Sequence, residues 1–263
     1  IKENLDQIAC LLCNNKFNIK DNTVASYTSP DQYEIAVGIK QDFYYRKWVK
    51  CNSCSLNFSI YSRPEKAFDY LYEELYRKVG AVPWRTLSTE QTFELVAKLP
   101  PEKSETIYRV NFIKYKISNL IKSDLYPEKS KYKLLDIGGA TGTFAFAFKD
   151  EKWQSTIIDP DEAGKFIQNY NVAFKKGWFT SKTFDFKFDL ISIIFVLEHV
   201  LEPSLLLEEI RKSLLPDGLI YIEVPDELAF YKVSPEDDIF NSCHLFMFNP
   251  SSLEMLLRRN NFE

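Results

Sequence analysis

Residues 134–144, LLDIGGATGTF, read as an apolar strand that ends on an acid and enters a glycine turn opening a helix. That order belongs to a βαβ unit, and no other stretch of the chain constrains the fold as much. Glycine permits the tight turn and omits the Cβ that would hold a nucleotide off the backbone. Gly138, Gly139 and Gly142 place three of the chain's eight glycines within five positions of a 263-residue sequence. The concentration points to a built loop.

Asp136 stands two residues before the first of these glycines. A carboxylate there repels a diphosphate and attracts a cation. The dinucleotide fingerprint G-x-G-x-x-G, read from Gly138, meets Ala140 and Thr143 at its second and third glycine places and is therefore broken. A second acid, Asp159, ends the next apolar run 23 positions beyond Asp136 and is followed by Pro160, Asp161 and Glu162. In an open α/β sheet an acid at that place accepts paired hydrogen bonds from ribose hydroxyls, a task that Asp161 or Glu162 could share.

From Lys131 onward strand patterns alternate with helix patterns. Strands are expected at 133–137, 154–158, 172–176, 189–196 and 219–224, and helices at 142–149, 161–170 and 203–214, with Pro216, Asp217 and Gly218 turning into the last strand. The strand runs are almost continuously apolar, as in a parallel sheet covered on both faces. Ahead of them, Ser88 with Gln91 forms a capping-box pattern, and Ile107, Val110, Ile113, Ile117, Leu120 and Ile121 line one face of a helix over 104–123. Ser251 with Glu254 suggests a box for a last helix. Tyr70, Tyr72, Tyr76 and Tyr108 are read as packing residues, with a substrate lid as the alternative.

Four of the five cysteines form two C-x-x-C knuckles, Cys10–Cys13 and Cys51–Cys54. Paired thiolates at that spacing take two corners each of a tetrahedral Zn²⁺ site, and four protein ligands leave no open position, so the zinc is expected to be structural. The intervening YEIAVGI (33–39) and YYRKWVK (44–50) read as ribbon strands. Cys243 is left as a small buried hydrophobe. The whole is an α/β chain: a Rossmann-like sheet with helices on both faces, preceded by a small β-rich zinc-binding domain and a helical connector. The boundaries are drawn as 1–63, 64–125 and 126–263.

A net charge of −4 and a pI near 5.5 provide no global basic field, which argues against a dedicated nucleic-acid binder and leaves room only for a local basic patch. No apolar run reaches the roughly 18–20 residues of a membrane span, and no basic-then-apolar leader opens the sequence. A cytoplasmic protein with reduced thiols is expected, of unspecified oligomeric state.

The chain has two histidines, His199 in FVLEHV at the exit of the fourth strand and His244 before the last helix. Carboxyl ends of strands are where an open α/β sheet sets its reacting groups, and a histidine there can accept a proton at neutral pH. Each histidine is a candidate catalytic base, against the alternative of a hydrogen-bonded core residue.

Taken together, LLDIGGATGTF, IIDPDE, FDLISIIFVLEHV, LLPDGLIYIEV and HLFMFNPSSLEMLLRRNNF resemble, in their usual order, the class I S-adenosylmethionine (SAM) methyltransferases over about residues 105–263. With the two knuckles in front, the chain resembles the zinc-ribbon branch found in bacterial surface-polysaccharide and sugar-tailoring pathways. The resemblance implies SAM contacts from Asp136, Gly138, Gly139, Ala140, Gly142, Asp159, Pro160 and Glu198, with Ala140 replacing the family's middle glycine. It implies O- or C-methylation of a small sugar-containing or phosphorylated acceptor in capsule biosynthesis, a phosphoramidate decoration included. Glu198, His199 and His244 also resemble part of an E-x-x-E-H metal pattern, but its first glutamate falls on Phe195, so no second metal is expected. The family's Gly-Asp pair for adenine is missing from KKGWFTSKTFDF, where Trp178 or Phe179 is expected to pack on the ring, and its closing hairpin would follow Phe262. The alternatives are a non-catalytic zinc-ribbon adaptor on the same fold and an NAD-dependent oxidoreductase, the latter opposed by Asp136.

Overall fold

The computed structural model describes residues 7–42, 44–61, 63–79 and 86–263. Positions 80–85 of the expected helical connector lie outside them. The chain forms two compact units: residues 1–80, 197–207 and 224–263 make the first, and residues 81–196 and 208–223 the second.

In the first unit, β1 (Gln7–Ala9) and β2 (Lys16–Asn18) form an antiparallel hairpin around the first knuckle. A short helix α1 (Ile19–Asn22), capped by the Asn18 side chain, leads into β3 (Thr23–Tyr27). The β-like run at 33–39 is instead helical, as α2 (Gln32–Ala36). Asp31 accepts from the amides of Tyr33 and Glu34 while the Glu34 side chain returns to the Asp31 amide, and this closed capping box outweighs the β-branched content of the segment. The expected strand within 44–50 is present as β4 (Arg46–Lys50), antiparallel to β5 (Asn57–Ile60), with the second knuckle between them. The helix α3 (Glu65–Tyr70) runs into a wider turn at Leu71–Leu75, where the Tyr76 amide reaches back to Leu71 O at 2.7 Å.

The second unit opens with α4 (Thr89–Ala97), begun by the expected Ser88–Gln91 box, and α5 (Glu105–Lys122), begun by Ser104. Val110, Ile113 and Ile117 of α5 are buried against Phe144, Phe148 and Leu190, with Leu120 and Ile121 at the margin, so the three-and-four spacing was read on the correct face. Then follow β6 (Tyr132–Ile137), α6 (Thr143–Phe148), β7 (Trp153–Asp159), β8 (Ala173–Lys176) and β9 (Phe188–Ile194). After α7 (Pro203–Ser213), the strand β10 (Leu214–Glu223) completes the sheet. Its order is β10-β9-β6-β7-β8, every pair parallel. This is the expected Rossmann-like sheet. Residues 162–170, expected as a helix, form 3₁₀ turns, and Pro216-Asp217-Gly218 falls where the β10 register shifts.

The strand order reverses at β6, which pairs β7 on one side and β9 on the other. Open α/β sheets bind ligands outside the carboxyl ends of strands at such a switch point. Asp136 is the penultimate residue of β6 and Asp159 the last of β7.

Beyond residue 223 the chain returns to the first unit through α8 (Ala229–Lys232), and β11 (Phe246–Met247) pairs antiparallel with β5, opposite Phe58 and Asn57. The ribbon sheet is thus β11-β5-β4-β3. The last helix, α9 (Pro250–Arg259), is capped by Asn249 with Ser252, in place of the expected Ser251–Glu254 pair. Pro250 fixes φ and lacks an N–H, which suits the first helical position and moves the cap one residue before it. Glu254 pairs with Arg258 at 2.9 Å instead. Among the described residues no helix is long and apolar enough to cross a membrane.

Candidate functional site

The glycine loop joins β6 to α6. Gly138 and Gly142 hold φ of +69° and +78°, and Ala140, in the middle-glycine place, holds +50°. All three are left-handed backbone, which costs an alanine roughly 1 kcal/mol. The loop also lies tightly on the fold itself. A Cβ on Gly138 would stand 2.7 Å from Val196 Cγ2, one on Gly139 2.8 Å from both Asp136 Oδ2 and Ile157 Cγ2, and one on Gly142 2.7 Å from Ile167 Cγ1. These glycines are therefore required by the protein's own packing, a reason that the pattern alone did not reveal.

Two acids lie beside this loop. Asp136 is buried, its Oδ1 accepting from Ser192 Oγ at 2.7 Å. Burial raises its pKa to about 7; the Ser192 hydroxyl works downward and the nearby Asp159 carboxylate upward. No basic side chain of the described residues contributes to the shift. Asp159 is also buried, with Oδ2 accepting from the Ala140 amide at 3.0 Å and Oδ1 from the Asp161 amide at 2.8 Å. The second acid is thereby tied to the glycine loop, and Pro160 is half-buried at the bend that follows. Trp178 is about half exposed after β8.

A second constellation lies within the first unit. The turn Leu197–His199 carries Glu198 and His199, and the Glu198 carbonyl accepts the Leu245 amide at 2.7 Å, next to His244. The rings of His199 and His244 are 4.6 Å apart, and His199 Nε2 is 4.0 Å from Glu198 Oε1. His199 Nδ1 lies 3.1 Å from Cys243 O and 3.2 Å from the Tyr72 hydroxyl; His244 Nδ1 lies 2.6 Å from Ile239 O. Burial pushes both imidazoles below their ordinary pKa, His199 well below, with His244 adding to the effect on His199. Each ring is thus held in its neutral form at pH 7. Of the four tyrosines, Tyr72 joins this cluster, Tyr76 stacks on Tyr33 at 5.5 Å, and Tyr70 and Tyr108 are exposed.

The four knuckle cysteines converge, also in the first unit. Their sulfurs all lie within 4.8 Å of one another, with Cys10–Cys54 and Cys13–Cys51 at 3.5 Å. The two turns repeat each other. The amides of Leu12 and Ser53 point at Cys10 Sγ and Cys51 Sγ at 3.4 Å, and Asn14 and Ser55 both take φ of +61°. None of the cysteines is in a disulfide. Burial raises the Cys10 thiol to about 11, whereas at Cys13 burial is outweighed by the Asn15 amide and the neighbouring sulfurs, which bring it to about 7.

Two residues at the loop were not read from the sequence. Ser192 is the one polar residue within ISII of β9, a signal that was available. Gly164, where a Cβ would meet Ala140 O at 2.5 Å, had none, because its neighbour is distant in sequence.

Comparison with known proteins matches residues 93–263 to the family described as a methyltransferase domain. A protein of Staphylococcus carnosus (strain TM300), named as an uncharacterized methyltransferase, is 30% identical over 150 residues, which are 53% of this chain and 70% of that one. Among solved structures, the YcgJ protein of Bacillus subtilis aligns at 20% identity over 57% of this chain and 68% of its own, with a TM-score of 0.42. The plantazolicin methyltransferase BamL, in complex with a triazolic desmethylPZN analog and SAH, aligns at 15% identity over 68% and 70%, with a TM-score of 0.47.

Proposed function

The chain belongs to the methyltransferase-domain family and is a SAM-dependent methyltransferase, and from that premise we propose that SAM is held at the glycine loop and its methyl group passed to a small sugar-containing or phosphorylated acceptor. The observation that carries the donor site is the pair Asp136 and Asp159: two buried acids at the switch point, with no basic group among the described residues acting on Asp136, favour a cationic ligand over a diphosphate. In this reading Asp159 accepts from the ribose hydroxyls, Gly138, Gly139, Ala140 and Gly142 present backbone, Pro160 fixes the chain after Asp159, and Glu198 completes the contacts.

The sulfonium donor already carries a good leaving group, so the protein supplies alignment and a destination for the acceptor's proton. We assign that destination to His199 and His244. Both are neutral, and with Nδ1 facing a carbonyl each keeps the Nε2 lone pair as its basic atom. Acceptor chemistry, capsule biosynthesis and the choice between oxygen and carbon belong to this proposal through the sugar-tailoring resemblance.

The cysteine cluster suits a structural Zn²⁺. Four sulfurs gathered by two like turns, each with an amide aimed at a sulfur, match a closed thiolate site that cross-links two hairpins and takes no part in chemistry.

Labelled SAM incubated with a panel of nucleotide sugars and phosphorylated sugars tests the reaction. Transfer to one class is expected, with kcat reduced roughly 100-fold or more in His199→Gln or His244→Gln while SAM affinity is kept. No transfer to any member, or full rates in both variants, would remove the acceptor assignment or the base assignment respectively.

A further inference from the structure

We propose that the ion pair Arg109–Glu223 seats the α-carboxylate and α-ammonium groups of SAM, with the Phe195 ring as the wall beside it. The inference rests on the donor reading above and deepens it. Asp159 ends β7 and the glycine loop follows β6, so a nucleoside held there by its ribose sends its far end toward β9 and β10. The end of β9 lies two strand spacings, roughly 10 Å, across from the end of β7. SAM carries its amino-acid end several bonds beyond the ribose, and that end is a zwitterion that needs a donor for its carboxylate and an acceptor for its ammonium.

Both stand at this edge, in the same unit as the loop. Glu223 is the last residue of β10, and Arg109 projects from α5. Arg109 Nε donates to Glu223 Oε2 at 2.5 Å and Nη2 to Oε1 at 2.6 Å, a two-pronged clasp that fixes the guanidinium plane. Nη2 also reaches Glu105 at 3.3 Å, a carboxylate 85% exposed to solvent, and the Tyr221 hydroxyl donates to Glu223 Oε2 at 3.0 Å. Among the described residues nothing bonds Arg109 Nη1, although the side chain is only 16% exposed. Its N–H edge is spare and held in place, which suits a second carboxylate. Glu223 Oε1 accepts one bond and keeps a lone pair for an ammonium. The pair carries no net charge, so it matches a zwitterion better than an isolated phosphate or an isolated cation.

The backbone points to the same edge. Phe195 follows β9 with φ of +54°, left-handed backbone that a bulky side chain seldom adopts, and its ring is 45% exposed. Its amide donates to Glu223 O at 2.8 Å, and its ring centre lies 5.8 Å from the Arg109 guanidinium carbon. The next residue, Val196, packs on Gly138 of the loop. Backbone strain of this kind persists where the surroundings hold it, and it gathers at ligand clamps. Here it sets an aromatic surface between the glycine loop and the clasp, suited to the aliphatic stretch of the methionyl chain.

Titration calorimetry on the full chain compares S-adenosylhomocysteine with 5′-methylthioadenosine, a thioether nucleoside of the same kind without the amino-acid end. The unmutated protein should bind the first more tightly. Arg109→Gln should weaken S-adenosylhomocysteine at least ~10-fold and leave methylthioadenosine within about 2-fold, which also shows that the variant is folded. Arg109→Lys keeps a charge for Glu223 and loses the fork, so it should show the same selective loss at smaller size. Equal binding of the two compounds by the unmutated chain would overturn the seat. So would losses that, in both variants, are absent or fall equally on both compounds; the donor reading then stands, because S-adenosylhomocysteine still binds the unmutated chain. Failure of the unmutated chain to bind either compound would overturn the donor reading and the seat with it.

Discussion

Asp136 is an acid that the fold keeps dry. Its pKa of about 7 lies above the ordinary carboxylate value, so between about pH 4 and pH 7 the folded chain binds more protons than the unfolded one, and stability falls as pH rises through that window. From the same values, roughly 2–3 kcal/mol is lost at this residue between pH 5 and pH 8. Asp136→Asn removes the contribution. Urea unfolding without SAM should show the wild type losing about that much more than the variant, and equal losses would contradict the buried, raised carboxyl. At this scale the sequence exposed Asp136, Asp159 and the glycines, because acids and glycines at strand ends are rare and their positions carry meaning. It did not expose why Gly138 or Gly142 must be glycine: Val196 and Ile167 press on them across distances that spacing does not record.

Among the elements, the central strands and α5 were legible because burial on a parallel sheet or on one helix face imposes a period. Segments ruled by caps were harder. The run 33–39 carries strand-like residues, yet the Asp31–Glu34 box makes it helical, and Pro250 shifted the start of α9 to Asn249. The knuckles were legible from spacing alone. Cys51→Ser, or treatment with a strong chelator, should release about one zinc per chain and loosen the ribbon sheet, read as a change in emission from Trp48, which is fully buried between Phe230 and Phe240. Unchanged emission and melting after complete zinc removal would contradict a structural role.

For the whole molecule, sequence order and spatial order part company. A reading by motif runs one domain from 126 to 263, whereas residues 197–207 and 224–263 gather with the ribbon, and β11 extends the ribbon's own sheet. Local pattern could not reveal this, because β11 is two residues long and its pairing with β5 is nearly 190 residues distant in sequence. Asp136, the glycine loop and Asp159 belong to the second unit, and Glu198, His199 and His244 to the first. Titration calorimetry with SAM and S-adenosylhomocysteine, on the wild type and on Asp159→Ala, tests the central claim most directly. The expected result is one molecule bound per chain, weakened roughly 10- to 150-fold in the variant as hydrogen bonds to a charged acceptor are lost. Failure of both compounds to bind, or equal affinity in Asp159→Ala, would contradict the account.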